Sequence, residues 1–303
     1  MHFRPYISRD GDAFLFVKRS LNAKWNRIKK SEGYNMQKII FIGAGSMAEA
    51  LIHGWTKKNV IHPHSLFISN RSNKERLKEL VESYDVKLLE DHTQLLDADL
   101  VILAMKPKDA RAAMEIIAPH LGADTAIISV LAGVTIETIE QYLGNRSIAR
   151  VMPNTSAQIG MSASGIAFNP HVTDVQRSLY IQMLEAIGIV IEVEEEKLHA
   201  VTALAGSGPA YLYYLVEAFE QAGAEFGLSK EVVRELMVQT IAGSAEMLKS
   251  GNVEPSILRR KVTSPGGTTE AGIKALESMS FNEAIVNCVR SAENRSRELA
   301  RGE

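Results

Sequence analysis

The stretch FIGAGSMAEAL, residues 41–51, carries the strongest structural signal in this 303-residue chain. The apolar run KIIFIG leads into it, a helix-forming run leaves it, and Gly43, Gly45 and Ala48 fit the pattern G-x-G-x-x-A. Gly43 allows a tight turn, Gly45 lets a pyrophosphate approach the backbone, and Ala48 permits close packing of helix on strand. Because a helix N-terminus attracts phosphates, the pattern predicts a dinucleotide site. Its predicted contacts are Gly43, Gly45, Ser46 and Met47.

Apolar runs of strand length alternate with helical stretches from this motif to about residue 194. The later runs are SLFISN (65–70), DLVILAM (99–105), TAIISVLAG (125–133), SIARVMPN (147–154), SGIAFN (164–169) and GIVIEV (188–193). Strands separated by helices indicate a parallel sheet with helices on both faces. We therefore predict the α/β class, with an N-terminal Rossmann-type doubly wound sheet over residues 36–197. An all-helical C-terminal domain follows over residues 198–303.

The predicted helical domain contains a segment, AYLYYLVEAFEQAG (210–223), that is apolar on nearly every side. Ser207-Gly208-Pro209 is expected to cap and start this helix, and Ser229 to cap the next helix, which Gly251 ends. A helix that is apolar all round must be buried on every side, and a domain of this size does not easily bury it alone. The pattern therefore predicts an intertwined homodimer formed by a helical dimerisation domain.

The composition argues against several classes of partner. The net charge of −2 gives no electrostatic attraction to nucleic acid or to an anionic membrane. No apolar run reaches the roughly 18 residues of a membrane span. Cys288 is the only cysteine, so the chain forms no intrachain disulfide and a reducing, cytoplasmic location is expected. His62 and His64 lie two positions apart in a turn and the other histidines are scattered, so we predict no metal site.

The first 35 residues differ from the rest of the chain. They are rich in Arg and Lys, and they have no sustained periodicity. We expect residues 1–35 to be an N-terminal extension outside the fold, with Met36 as the natural start, and we assign the segment no function.

The end of the second predicted strand indicates which dinucleotide is bound. NAD-binding Rossmann folds place Asp or Glu there for the ribose hydroxyls, whereas this chain has Asn70, Arg71 and Ser72. A guanidinium and a hydroxyl suit a 2′-phosphate. A solvated basic helix start would also explain Lys74 and Arg76, but it leaves the missing acid unexplained. NADPH is therefore predicted in preference to NADH.

Three further strand ends are expected at the same edge of the sheet, where ligands bind in such folds. The sequence AMKP places Ala104 and Lys106 there, although Lys106 could also be an ordinary loop lysine. Ala132, in VLAGVT, and Asn154, in VMPNT, are candidates for lining a nicotinamide pocket.

The chemistry of the predicted substrate follows from what the chain lacks. Reducing a ketone requires a strong proton donor, and no clear acid–base group accompanies the cofactor motif. A protonated imine accepts hydride without such a donor, so positioning matters more than acid catalysis. The segment SPGGTTEAG, residues 264–272, makes a tight loop directly before a helix. Its amides could hold a substrate carboxylate, or the segment could be an ordinary helix start.

Taken together, these motifs resemble those of the pyrroline-5-carboxylate reductase family. The resemblance runs from Met36 to about Ala300 and rests above all on ALAGSGPAYLYYLVEA and LRRKVTSPGGTTEAGIKALE. It implies NAD(P)H-dependent reduction of L-1-pyrroline-5-carboxylate to L-proline, by dimers that often assemble into decamers. It also implies that Thr269 hydrogen-bonds the ring nitrogen. The substrate-binding residues that it implies are Ser264, Gly266, Gly267, Thr268 and Thr269.

Two other functions are compatible with a two-domain plan of this kind. An NADP-dependent 3-hydroxyacid dehydrogenase would need a catalytic lysine in the first long helix of the second domain, and residues 210–223 contain none. A catalytically silent, nucleotide-binding relative would need no catalytic loop, and the intact SPGGTT argues against it.

Overall fold

The computed structural model describes residues 36–251 and 253–301. The chain divides into two compact units, Met1–Glu195 and Glu196–Glu303. The predicted domain boundary after residue 197 lies two positions further along the chain. The predicted extension, residues 1–35, lies outside the described residues.

Among its described residues, the first unit is built on one sheet of eight strands. The strands are β1 (Ile39–Ile42), β2 (Leu66–Ser69), β3 (Lys87–Leu88), β4 (Leu100–Leu103), β5 (Ala126–Ser129), β6 (Ile148–Met152), β7 (Ser162–Phe168) and β8 (Gly188–Glu192). Their order across the sheet is β3-β2-β1-β4-β5-β6-β7-β8. The helices of this unit are α1 (Ser46–Lys57), α2 (Lys74–Tyr84), α3 (Ala110–Ile117), α4 (Ile136–Leu143) and α5 (Asp174–Glu185).

The central strands are apolar and buried on both faces, as expected for a doubly wound sheet. All four residues of β1 are buried, and its alternate side chains enter two different cores. Phe41 packs in the core that contains Trp55 of α1, whereas Ile40 packs in the core that contains Met114 of α3. This division of one strand between two helical layers confirms the predicted Rossmann-type architecture.

Two features of the sheet differ from the sequence-based prediction. Strand β6 pairs with β7 antiparallel, whereas the alternating pattern predicts a parallel sheet that the later runs extend. The connection between them, residues 153–161, is too short for the crossover of a dozen or more residues that a parallel pair requires. The edge strand β3 has only two residues, both exposed, so it carries no apolar pattern from which it could be predicted.

The second unit contains only helices among its described residues, which confirms the predicted all-helical domain. They are α6 (Leu198–Val201), a π-helical turn (Thr202–Gly206), α7 (Gly208–Glu225), α8 (Lys230–Lys249), α9 (Pro255–Lys261), α10 (Thr268–Ser278) and α11 (Phe281–Arg301). Within residues 36–251 and 253–301, no helix combines the length and the apolar character needed to cross a membrane.

One of the two predicted helix caps is correct. The hydroxyl of Ser229 accepts a hydrogen bond from the amide of Val232 and caps α8, as predicted. The prediction that Ser207 caps α7 is wrong, because Ser207 has helical backbone angles and makes no capping hydrogen bond. The π-helical turn runs directly into α7, so the chain is already helical before Pro209 and no capped start exists there.

Candidate active site

The turn after β1 requires glycine at Gly43. Its φ angle is +110°, in a region that residues with a side chain rarely adopt. Its amide donates to the carbonyl of Ser69 at 3.0 Å, which ties the turn to β2. A Cβ atom at Gly43 would lie 2.5 Å from the backbone of Ala104 and Met105, so there is no room for any other residue.

Gly45 meets a different requirement from Gly43. It is the N-cap of α1, its backbone is extended, and no side chain caps the helix at this end. The nearest atom to a Cβ placed on Gly45 would be the carbonyl oxygen of Ala104 at 4.0 Å, so the protein itself leaves this position open. The uncapped amides of the first turn, which includes Ser46 and Met47, therefore face a space in which an anionic group could bind.

A cleft of about 1110 Å³ opens at the carboxyl ends of β1, β2 and β4. These three strands are neighbours in the sheet, so the loops that follow them meet at one edge. Most of the predicted cofactor contacts line this cleft, namely Gly43, Gly45, Ser46, Met47, Asn70, Arg71, Ser72, Ala104 and Lys106.

The loop after β2 places a guanidinium at the cleft. The side-chain oxygen of Asn70 accepts from the amides of Ser72 at 3.1 Å and Asn73 at 3.3 Å, so Asn70 shapes the turn. The side chain of Arg71 is 77% exposed, and its Nη2 atom lies 3.6 Å from Oδ1 of Asp109. Surface ion pairs of this kind contribute little to stability, so Arg71 can turn towards a phosphate at small cost.

Two of the predicted cofactor contacts do not line this cleft. Ala132 follows β5, beside Gly133, whose φ angle is +74°. Asn154 follows β6 and is buried, and its side-chain oxygen accepts from the amide of Ser156 at 3.1 Å. This bond caps a short 3₁₀ turn, Thr155–Ile159, and gives Asn154 a structural role. Contact of either residue with a nicotinamide stays a prediction.

In the second unit, the segment 264–267 forms a tight turn directly before α10. The amide of Gly267 donates to the carbonyl of Ser264 at 3.0 Å, and Gly266 has a φ angle of +71°, which explains the glycine there. Gly267 is the N-cap of α10, and no side chain caps this helix. Thr268 and Thr269 are exposed and form its first turn.

Glu270 is a neighbour of the predicted substrate loop that the sequence did not single out. Its Oε2 atom accepts from the amide of Gly266 at 2.8 Å, and its Oε1 atom lies 3.2 Å from Nζ of Lys274. The hydrogen bond from Gly266, and then the one from Lys274, lower the pKa of Glu270. Glu270 therefore stays ionised at neutral pH and occupies the Gly266 amide. A substrate carboxylate would meet the amides of Thr268 and Thr269 instead.

The position of Glu270 in the sequence indicates that it could bond a backbone amide near the start of α10. A glutamate three residues after an N-cap commonly reaches back to the cap's own amide, as in a capping box. Here Glu270 stands three residues after Gly267 and reaches one residue further, to Gly266. Within the described part of the chain, no three His, Cys, Asp or Glu side chains cluster so as to hold a metal ion.

Comparison with known proteins links both units to one family. Residues 195–299 match the family "Pyrroline-5-carboxylate reductase dimerisation", and residues 38–133 match "NADP oxidoreductase coenzyme F420-dependent". Pyrroline-5-carboxylate reductase 2 of Bacillus subtilis is 47% identical over 87% of this chain and 95% of its own. Pyrroline-5-carboxylate reductase of Staphylococcus epidermidis is 39% identical over 88% of this chain and 99% of its own.

Solved structures give the same result. A pyrroline-5-carboxylate reductase from Coxiella burnetii has a TM-score of 0.81 and 37% identity, over 88% of this chain and 99% of that one. Pyrroline carboxylate reductase of Plasmodium falciparum, solved with NADP bound, has a TM-score of 0.79 and 30% identity, over 88% of this chain and 100% of that one. On sequence and fold alike, this chain belongs to the pyrroline-5-carboxylate reductase family.

Proposed function

We propose that this chain is a cytoplasmic enzyme that reduces L-1-pyrroline-5-carboxylate to L-proline with NAD(P)H, the last step of proline biosynthesis. The proposal rests on the observation that this member of the family has two features in the same chain. One is a Rossmann cleft with an uncapped helix at its glycine turn, and the other is an exposed SPGGTT turn before a second uncapped helix.

The cleft in the first unit fits a dinucleotide. Gly43 allows the turn, Gly45 leaves open space beside the backbone, and the first turn of α1 offers uncapped amides for a pyrophosphate. The loop after β2 offers the Arg71 guanidinium and the Ser72 hydroxyl to a 2′-phosphate, with no carboxylate at the strand end. We infer that NADPH is preferred, and that NADH binds the same site more weakly.

The turn before α10 fits a small cyclic imino acid. The amides of Thr268 and Thr269 would bind its carboxylate, helped by the dipole of an 11-residue helix. The Thr269 hydroxyl would hold the ring nitrogen by a hydrogen bond. Because Glu270 is ionised and paired with Lys274, its charge opposes the substrate carboxylate less than an isolated glutamate would.

The proposed reaction needs no strong proton donor from the protein. NAD(P)H, when bound, supplies a hydride, which carries the two electrons. This hydride would leave a C–H bond of the reduced nicotinamide and form a C–H bond at the imine carbon, with NAD(P)+ as the oxidised product. The π pair of the C=N bond would move to the nitrogen, whose positive charge would be neutralised. The nitrogen already carries its proton, so the chain has to orient the substrate and hold that N–H, the role proposed for Thr269. A hydroxyacid dehydrogenase is disfavoured because α7 lacks a lysine.

Thr269→Ala tests the substrate half of this assignment. We expect kcat to fall about tenfold or more, since an oriented hydrogen bond to a charged group is lost, while the Kd of NADPH stays unchanged. Ser278→Ala is the matched control, because the Ser278 hydroxyl donates to the carbonyl of Ala275 at the far end of α10. Steady-state kinetics and NADPH titration give both values. Unchanged kcat in Thr269→Ala would remove Thr269 from the mechanism.

The exposed apolar surface of the helical unit supports a homodimer. In the single chain Tyr214 of α7 is 75% exposed, and Leu236 and Val238 of α8 are each 58% exposed. Such side chains are typical of a surface that a partner covers. We propose that a second copy covers α7 and α8, and that five dimers form a decamer.

Light scattering after size-exclusion chromatography measures the assembly. We expect a mass of twice 33.3 kDa or of a larger even multiple, with ten copies in the proposed ring. A stable monomer at micromolar concentration would contradict the dimer, and a stable dimer alone would contradict the decamer.

A further inference from the structure

A carboxylate lies close to the proposed phosphate site. Glu49 stands in the first turn of α1, the helix whose N-terminus opens into the cleft, but its side chain does not line the cleft. A negative charge at a helix N-terminus stabilises the helix itself and weakens the attraction of that terminus for a phosphate. Glu49 therefore works against cofactor binding unless its charge is offset.

Arg76 of α2 supplies the offsetting charge. Its Nη2 atom donates to Oε2 of Glu49, and its Nη1 atom donates to Oε2 of Glu79 at 2.7 Å. Its Nε atom donates to the carbonyl of Ala44 at 3.3 Å, which places the guanidinium beside the glycine turn. The hydroxyl of Tyr84 donates to the other Glu49 oxygen at 3.1 Å.

The surroundings of Arg76 make this contact more than a surface ion pair. The Arg76 side chain is 20% exposed and that of Glu49 is 30% exposed, so both charges are partly shielded from water. The pKa of Arg76 is raised, first by the hydrogen bond to Glu79 and then by the bond and charge of Glu49, while partial burial lowers it. Like Glu49, Arg76 does not line the cleft.

We propose that Arg76 is a positioning residue for the cofactor pyrophosphate, and that it acts by neutralising Glu49 without touching the cofactor. The inference rests on the proposed NAD(P)H site. It makes a prediction that separates Arg76 from Arg71. NADH and NADPH both contain the pyrophosphate, so loss of Arg76 should weaken the binding of both cofactors by the same factor. Loss of Arg71 should weaken the binding of NADPH alone.

The test measures the Kd of NADPH and of NADH by fluorescence titration for the wild type, three variants and one control variant. In Arg76→Gln we expect both Kd values to rise about tenfold, because Glu49 then carries an uncompensated charge in the first turn of the helix whose N-terminus is proposed to bind the phosphates. In the double variant Glu49→Gln with Arg76→Gln, we expect both values to return to within about threefold of the wild type, since the charge in the first turn of α1 is gone. The Glu79 carboxylate also loses its partner, but its side chain is 62% exposed, so water screens its charge. Glu49→Gln alone should bind both cofactors as tightly as the wild type or more tightly.

Lys78→Gln is the matched control for loss of a positive charge. Lys78 lies on the same helix, and its exposed side chain pairs with Glu82 at 3.8 Å. Its Kd values should not change. Melting temperature and circular dichroism identify any variant that does not fold. If Arg76→Gln fails that check, the double variant and Glu49→Gln still test the proposal.

Three results would overturn the proposal. They are unchanged cofactor affinity in folded Arg76→Gln, a double variant as weak as Arg76→Gln, and weaker binding in Glu49→Gln alone. A wild-type protein that binds neither cofactor would instead refute the proposed function, so the two failures are distinguishable.

Discussion

Gly43→Ala is expected to weaken NADPH binding by at least about 100-fold and to lower the stability of the first unit. The added Cβ would lie 2.5 Å from the backbone of Ala104 and Met105, and backbone atoms cannot rotate out of the way as the end of a side chain can. The φ angle of +110° is itself strained for alanine. The turn must therefore open, and the amide of Gly43 then loses its bond to Ser69.

Gly45→Ala is the informative comparison for this variant. Beyond its own stretch of chain, a Cβ at Gly45 meets no atom of the described residues closer than 4.0 Å, so we expect a normal melting temperature. It would occupy the space proposed for the pyrophosphate, so NADPH binding should still be lost. Calorimetry of binding and thermal unfolding of both variants measure the two effects. Tight NADPH binding by Gly45→Ala would place the cofactor elsewhere.

Arg71→Asp is expected to raise the Kd of NADPH about 100-fold. The Kd of NADH should stay within about threefold of the wild-type value. The substitution removes the guanidinium proposed to bind the 2′-phosphate and puts a carboxylate in its place. NADH has no 2′-phosphate, so it should not respond. Arg71 is exposed and its ion pair with Asp109 is long, so the fold should not depend on it.

Lys74→Asp is the control for the charge change alone. Lys74 begins α2, three residues further on, and is exposed, but it does not line the cleft. We expect the NADPH to NADH preference to change less than about threefold in this variant, because the side chain is exposed outside the cleft lining and its charge is screened by water and salt. An equal rise in the Kd of NADPH and NADH in Arg71→Asp, or an equally large change of preference in Lys74→Asp, would contradict the proposal that Arg71 binds the 2′-phosphate.

The sequence predicted those parts of the fold in which a local pattern has one physical meaning. The buried strand, glycine turn and helix around Gly43 have no common alternative, and the structure has them. Strand direction is a different matter, because β6 and β7 carry the same apolar pattern whichever way they run. The short connection between β6 and β7 indicates that they run antiparallel, whereas the pattern of apolar runs does not indicate their direction.

The contact between Arg76 and Glu49 could not be predicted from the sequence, because it joins side chains of two different helices. Arg76 and Glu49 lie 27 positions apart and meet because α1 and α2 pack together. Glu270 looks like an ordinary helix-start acid until its bond to Gly266 is seen. The alternative of a solvated basic helix start covers Arg76, whereas the structure gives Arg76 a partly buried side chain with three acceptors.

The most direct test of the proposed function is NADPH absorbance in the presence and absence of L-1-pyrroline-5-carboxylate. The wild-type chain should oxidise NADPH only when this substrate is added, and one L-proline should form for each NADPH consumed. A 3-hydroxy acid with NADP should give no reaction. If the folded chain binds NADPH but forms no L-proline from L-1-pyrroline-5-carboxylate, the assignment of this reaction is wrong.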